Sequence, residues 1–379
     1  MTEHKMKIAQ IAPYYPPHLG GMESCAREIS EKLAKSGHSV EVFTSSIGSG
    51  KERIKSAENL AVHYLKAWDF AHTPLIPSLF FKLLRISKDT TMHVHISQPF
   101  IPEIAWLISK IRKIPYIAHV HIDIEPTGIF GFLLPFYKKF FLKKVLKSAS
   151  KIVVPTKDYV AIISKKYVVP EHRIAVIPYG VDLNKFKCVS TELHDPVRLL
   201  FVGRLAKQKN IPLLVDSLKK IIDKNNFNIE LHIVGDGEEK NKIISLIKNS
   251  DLDGKVIFHG SLSGNKLYEI YSNSDIFILT SVYESFGIVL IEAMASGLPV
   301  IVSDIPAIRN VIEKRKTGLL VKLEPVDFSK AIKELILGSE LRENLIKNGL
   351  EEAKKYDWDK IVFQFESIYK EIANGNNKK

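Results

Sequence analysis

The stretch Asp275-Ile-Phe-Ile-Leu-Thr280, followed by Glu284-Ser-Phe-Gly-Ile-Val-Leu-Ile-Glu292-Ala-Met-Ala-Ser-Gly297-Leu-Pro299, decides the fold. Its first part is a short apolar run of branched and aromatic residues, which reads as a buried parallel strand. The second part reads as a helix closed by Gly297 and Pro299. Strand, loop and helix in that order are the repeating unit of a doubly wound sheet. Glu284 then stands at the carboxyl end of a strand, where such sheets present ligands. Phe286, Gly287 and Ile288 open the helix, whose unpaired N–H groups and positive dipole end suit a phosphate. Glu292, placed about two turns into the helix, offers a carboxylate able to accept hydrogen bonds from two neighbouring ribose hydroxyls. For two arbitrary glutamates, solvation of a helix end and pairing with a basic neighbour would be the ordinary explanation; the strand-to-helix context sets this pair apart.

The same alternation extends outward in both directions. Upstream it predicts strands at Arg198–Val202, Glu230–Val234 and Val256–Phe258, with helices at Ile211–Lys224, Glu238–Asn249 and Gly264–Ser272; downstream comes a strand at Val300–Val302. The first half opens with Lys7-Ile-Ala-Gln-Ile-Ala-Pro13, a loop through Gly20-Gly21, a helix from Met22 to Ser36 with apolar spacing at Cys25, Ile29, Leu33 and Ala34, and a strand Val40–Thr44. Further strands fit Met92–Ile96, Tyr116–His121 and Lys151–Pro155. Periodicity lapses between Pro178 and Pro196, which marks the linker. Trp358 to Tyr369 is a final aromatic-rich helix. The expected domains are 1–180, 181–357, and a closing helix with its tail at 358–379.

Two domains also fit a length of 379 residues, 45% hydrophobic and 25% charged. No apolar run approaches the ~20 residues of a spanning helix. The start lacks an apolar segment of signal-peptide length, which argues for the cytoplasm. Cys25 and Cys188 lie in unrelated segments and suggest neither a disulfide nor a cysteine-based metal site. The net charge of +12 is uneven: residues 1–180 hold 25 Lys and Arg against 14 Asp and Glu, residues 181–379 hold 29 against 28. A basic first domain attracts nucleic acid, anionic lipid or an anionic substrate. No interleaved aromatic-basic motif or zinc-finger spacing supports the first of these, and no nucleic acid is expected as partner.

Four clusters carry chemistry. Gly20-Gly21 follows a strand and precedes a helix, so its backbone can approach a diphosphate at Gly21; the spacing is not Gly-x-Gly-x-x-Gly, and no acidic residue ends the next strand, which disfavours dinucleotide binding. Arg204 and Lys209 follow Phe201-Val-Gly203 at a strand's carboxyl end, where two fixed cations can neutralise the charge growing on a departing diphosphate without a metal. His119 and His121 lie two apart on one strand and so face one side. A metal reading fails for want of further His or Cys at ligand spacing, and no metal is expected. Phe136 to Ser148 reads as a basic amphipathic helix, preceded by apolar Ile129 to Leu134: Phe136, Phe140, Phe141 and Val145 share one side, with Lys138, Lys139, Lys143 and Lys147 mostly opposite. It suits weak attachment to an anionic membrane.

The Glu284-x7-Glu292 segment resembles the signature of retaining glycosyltransferases of family 4 with the GT-B fold. The likeness continues through Val176-Ile-Pro-Tyr-Gly-Val-Asp182, Phe201-Val-Gly-Arg-Leu205 with Lys209-Asn210, Ile233-Val-Gly-Asp-Gly237, Phe258-His-Gly260 and Gly318-Leu-Leu320, and covers nearly the whole chain. Asp182 and Gly235-Asp-Gly237 read mainly as turn residues; at Tyr179 the family more often has Asn. The resemblance implies two Rossmann-like domains facing across a cleft, with the last helix returning to the first. It implies transfer of a sugar from a nucleoside diphosphate donor, with Arg204, Lys209 and the amides at Phe286, Gly287 and Ile288 on the diphosphate and Glu292 on the ribose. Glu284 would face the donor sugar, and Ser261 and Leu262 would lie near the nucleobase. It also implies a histidine beside the anomeric carbon, better matched by His121, which Asp123 follows, although His119 stays open. The acceptor, lipid-linked, glycan or small molecule, would enter from the first domain, at the inner face of a membrane if lipid-borne. A nucleotide-sugar epimerase of the same fold is the rival, separable by incubating donor without acceptor. Base, sugar and acceptor stay open.

Overall fold

The fold is that of a computed structural model, which describes residues 5–18, 20–49, 53–70, 73–121, 134–186, 192–225 and 227–376. Asp123, Ile129 and Cys188 lie outside those residues. Two compact units are formed, Met1–Tyr179 with Trp358–Lys379, and Gly180–Asp357.

In the first unit the strands are β1 (Lys7–Ile11), β2 (Ser39–Ser45), β3 (Arg53–Ala57), β4 (Leu60–Leu65), the small ribbon β5 (Trp68–Phe70) and β6 (Thr73–Leu75), then β7 (Thr90–Ile96), β8 (Tyr116–Val120), β9 (Lys151–Val154) and β10 (Ile174–Val176). Apart from the ribbon they form one sheet in the order β10-β9-β8-β7-β1-β2-β4-β3, parallel except where β3 runs against β4. Successive side chains alternate across a strand, so each strand feeds two cores. Ala9, Ile11, Met92, Val94, Ile96, Tyr116, Ala118 and Val120 belong to one, with residues of the helices Ile101–Arg112 and Lys157–Tyr167. The other face carries Ile8, Gln10, His93, His95, Ile117 and His119 under the helices Gly21–Lys35 and Trp358–Asn376. The closing helix buries Trp358, Ile361, Val362, Phe365 and Tyr369 there, and Lys32 pairs with Asp359 at 2.6 Å. The return of this helix to the first unit follows the expectation.

The segment Leu134–Ser148 departs from the expected amphipathic helix. It is a helical turn Leu134–Tyr137, a π-helical turn Lys138–Leu142 and an α-helix Lys143–Ser148. Widening the middle turn shifts its register. Leu142, Val145, Leu146 and Ala149 form the buried stripe, while Phe136, Phe140 and Phe141 are exposed at 58%, 42% and 48%. Val145 therefore does not share a side with the phenylalanines. The aromatic rings lie outside, among Lys138, Lys139 and Lys143, with the Lys139 ammonium 5.6 Å from the Phe140 ring centre.

In the second unit β11 (Val197–Val202), β12 (Ile229–Val234), β13 (Val256–Gly260), β14 (Ile276–Leu279), β15 (Val300–Ser303) and β16 (Leu319–Val321) form a parallel sheet in the order β13-β12-β11-β14-β15-β16. The strand read from Asp275–Thr280 is β14, wholly buried near the middle. Helices including Ile211–Asn225, Lys240–Asn249, Asn265–Ser272 and Ile288–Ala295 connect the strands. Strand order reverses at β11, which has β12 on one side and β14 on the other. Such a reversal is where open α/β sheets form a ligand-binding crevice, at the carboxyl ends of the strands, and both loops leave from that end.

Candidate functional site

Arg204 and Lys209 lie on the loop leaving β11, and Glu284 on the loop leaving β14, so the switch point gathers three of the singled-out residues. The loops are fastened to each other: the Val282 N–H donates to Gln208 O (2.9 Å) and the Thr280 hydroxyl to Lys209 O (2.8 Å). Across this staple the Lys209 ammonium meets Glu284 Oε1 at 2.5 Å, and the Ser281 hydroxyl donates to the same oxygen at 2.7 Å. Both charged side chains are about one-tenth exposed, so each depends on the other. Arg204 is exposed, and among the described residues it has no ion-pair partner.

Glycines let the loops leaving β11 and β12 pack against each other. Gly203 N–H donates to Val234 O, Leu205 N–H to Asp236 O, and Glu239 N–H to Leu205 O. Gly235 has φ +136°, and a Cβ there would stand 1.9 Å from Gly203 O; one at Gly237 would stand 2.5 Å from Leu205 O. Only glycine lets these two loops touch.

The helix after β14 starts at Ile288, with Gly287 as its N-cap at φ +86°. Phe286 precedes the helix, buried, with its ring edge-on to Tyr356. Glu292 is consequently little more than one turn inside rather than two. Its carboxylate accepts from the Tyr271 hydroxyl at 2.8 Å. Loss of hydration pushes the Glu292 carboxyl up to about 7, against the pull of that hydrogen bond. Tyr271 ends the helix that follows the Ser261–Leu262 loop, so the positions read as nucleobase-proximal and ribose-binding are linked through a tyrosine that sequence reasoning did not single out.

Gly21 and His121 belong to the first unit. Gly21 begins its helix, exposed, with open space where a Cβ would be. The adjacent Gly20 is the constrained one, since a Cβ there would meet the Glu23 carboxylate at 2.2 Å.

His121 follows directly on β8, buried among three other histidines. The register pairs His95 with His119, and the rings of His119 and His121 stack at 4.1 Å. His121 Nδ1 lies 2.6 Å from the Tyr179 hydroxyl and its Nε2 2.7 Å from His95 Nδ1; His95 Nε2 lies 2.7 Å from Gln10 Oε1. A parallel pair joins Tyr369 to His93 Nδ1 (2.5 Å) and His93 Nε2 to His119 Nδ1 (3.0 Å). Burial, with the neighbouring imidazoles next, holds His93, His119 and His121 far below the usual histidine range; burial alone brings His95 to about 3. The cluster is neutral. The premise that His119 and His121 have no further ligand-type neighbours is therefore corrected: the ligand atoms of Cys25, His119 and His121 lie within 4.8 Å of one another, as do those of His93, His95 and His119. The signal was a second His-x-His, His93 and His95, on a strand the pattern already predicted. Adjacent parallel strands put the two pairs side by side.

A model of group 1 glycosyl transferases matches residues 184–352, and one of glycosyltransferase family 4 matches residues 19–185. The chain belongs to this family of retaining, GT-B-fold glycosyltransferases. It is 25% identical over 391 residues to the alpha-monoglucosyldiacylglycerol synthase of Streptococcus pneumoniae, covering 95% of this chain and 85% of that one. It is likewise 25% identical over 401 residues to the phosphatidyl-myo-inositol mannosyltransferase of Mycobacterium tuberculosis, covering 98% and 99%. The fold is shared with Anabaena HepE, solved in complex with UDP and glucose, at a TM-score of 0.77 and 17% identity over 97% of this chain and 100% of that one. The glycosyltransferase uses a nucleotide-sugar donor.

Proposed function

We propose that the glycosyltransferase holds its nucleoside-diphosphate sugar in the crevice of the second unit and delivers the sugar to a lipid-borne acceptor at an anionic membrane surface. The observation that carries the donor half is the Lys209–Glu284 ion pair at the switch point, with Arg204 beside it in sequence on the same loop. Before the donor arrives, the pair shields two nearly buried charges. With the donor in place, Lys209 turns its charge to the diphosphate together with Arg204 and the amides of Phe286, Gly287 and Ile288, and Glu284 accepts from hydroxyls of the sugar. Glu292 takes the ribose, with Ser261 and Leu262 near the base. As the glycosidic bond breaks, negative charge gathers on the leaving phosphate, which the two cations stabilise without a metal. That phosphate then takes the acceptor proton on the same face of the sugar, so the glutamates need not act as an acid and base pair. His121, held neutral, does not oppose the positive charge that develops at the anomeric carbon.

The acceptor half rests on Phe136, Phe140 and Phe141, three exposed rings set among lysines. Aromatic side chains at the headgroup level beside cations are the composition of an interfacial segment. No helix among the described residues is long and apolar enough to cross a membrane, so contact at the surface is the mode this segment allows. Two of the relatives bear names of lipid-modifying enzymes, a diacylglycerol glycolipid synthase and a phosphatidylinositol mannosyltransferase. The test is a transfer assay with labelled UDP-, GDP- and ADP-sugars against extracted membrane lipid and against soluble sugars. Label entering the lipid fraction is expected. Transfer to soluble sugars alone would return Leu134–Ser148 to a purely structural part.

A further inference from the structure

A parallel sheet covered on both faces is ordinarily filled with Val, Ile and Leu. Here one buried face carries Gln10, His93, His95 and His119, with His121 just past the strand. Left unpaired, each such group would keep the full penalty of its lost hydration. The histidines are paired and so is Gln10 through its Oε1, while Gln10 Nε2 meets no partner among the described residues; the pairing has a direction. Gln10 Oε1 can only accept, so His95 donates from Nε2 and must accept at Nδ1. His121 therefore donates to it from Nε2 and must accept at Nδ1, where the Tyr179 hydroxyl donates. One assignment at the glutamine fixes every proton up to Tyr179. The N···N separations of 2.7 Å and 3.0 Å in the two histidine pairs are those of hydrogen bonds; two nitrogens on one tetrahedral metal at about 2.0–2.1 Å each would stand further apart.

We infer that Gln10, His95 and Tyr179 are positioning residues for His121, a chain of neutral groups that holds its imidazole as the Nε2–H tautomer with its ring plane fixed. The inference rests on the reading of His121 as the histidine beside the anomeric carbon. A ring that took up a proton would present a cation to a centre that is itself becoming positive, and a ring free to flip would exchange its donor and acceptor nitrogens. The chain prevents both. Tyr179 clamps one nitrogen from the end of the first unit, and His95, braced by Gln10 on the neighbouring strand, clamps the other.

The test uses the full chain with 15N-labelled histidine and long-range 1H–15N spectra, His121 being assigned by its disappearance in His121→Asn. A neutral ring protonated at Nε2 is expected throughout the physiological range. Tyr179→Phe should bring in the second tautomer and lower kcat about tenfold, with little change in the donor KM. Should that variant not fold, His95→Gln interrupts the chain on the other side of His121 and is read the same way. An Nδ1–H or charged His121 in the wild type would overturn the inference. So would one equivalent of zinc in the purified protein, since a metal displaces these protons. If His121→Asn abolishes turnover while Tyr179→Phe keeps the wild-type kcat, the positioning role falls and the reading of His121 stands; if His121→Asn is fully active, it is that reading which fails.

Discussion

Glu292, the carboxylate proposed to take the ribose, shows what such a group costs before a ligand arrives. Its pKa rises from 4.5 to about 7 on folding, so the native state holds more protons than the unfolded chain between those values and loses stability as pH rises through them. The loss is about 3 kcal/mol once pH exceeds 7. Glu292→Gln should consequently be more stable than wild type in urea at a pH of about 8, with the advantage vanishing below a pH of about 4.5. The same variant should bind the nucleotide sugar at least tenfold more weakly, since hydrogen bonds to a charged group contribute roughly 1.5–3 kcal/mol. Equal urea midpoints at both pH values would remove the Glu292 carboxylate from this account. Lys209→Ala exposes the opposite dependence. Among the described residues it leaves Glu284 with Ser281 alone as partner at a site about one-tenth exposed, and should cost roughly 3 kcal/mol of stability. Its turnover should fall further than its donor affinity, because the ammonium acts on charge that grows during departure. Wild-type turnover should persist in a chelator; inactivation reversed by magnesium would show that the two cations do not suffice. At this scale the candidates Glu284, Arg204 and Lys209 were suggested by residue type and position after a strand, and Glu292 by its place in the following helix. Tyr271 and Ser281 could not, because a hydroxyl partner is chosen by three-dimensional proximity and leaves no spacing.

At the scale of elements, periodicity located most strands of the second unit to within a residue or two, since parallel strands and their crossover helices differ sharply in apolar spacing. Val256–Gly260 ran two residues beyond its expected end because Gly260 still pairs, through its carbonyl, with Gly235 N–H. The failure at Phe136–Ser148 has a specific cause. A helical wheel assumes 3.6 residues per turn, and one π turn invalidates it for every residue on one side. The exposed rings give this element a sharper prediction than a basic helix alone. Replacing Lys138, Lys139 and Lys143 by Gln should release the protein from anionic liposomes in a salt-dependent way, at about 1 kcal/mol per lysine near the surface. Replacing Phe136, Phe140 and Phe141 by Ser should release it at any ionic strength. Donor binding should be unchanged in both, as none of the proposed donor groups lies in Leu134–Ser148. Wild-type protein that fails to co-sediment even at low salt would dismiss the segment as a membrane contact.

At the scale of the whole molecule, two α/β repeats and a closing helix were legible because the alternation stops and restarts. The buried histidine face was not, since each His-x-His looks ordinary until two strands are known to be neighbours. The first unit is discontinuous, and its last helix supplies Trp358, Phe365 and Tyr369 to the core, the last bonded to His93. Truncation after Asp357 removes several side chains whose individual loss costs about 3–5 kcal/mol, which together exceed the roughly 5–15 kcal/mol that stabilises a domain. Hydrogen exchange on the truncated chain should find the first unit unprotected and the second intact; uniform protection would show that the helix is dispensable. This layout also reverses the order of maturation during synthesis. The ribosome emits the first unit's sheet first, yet its covering helix follows only after residues 180–357, on the order of ten to forty seconds later at ordinary elongation rates. The later-made unit can finish folding while the earlier one still shows an uncovered flank of histidines and apolar side chains to the chaperones of the cell.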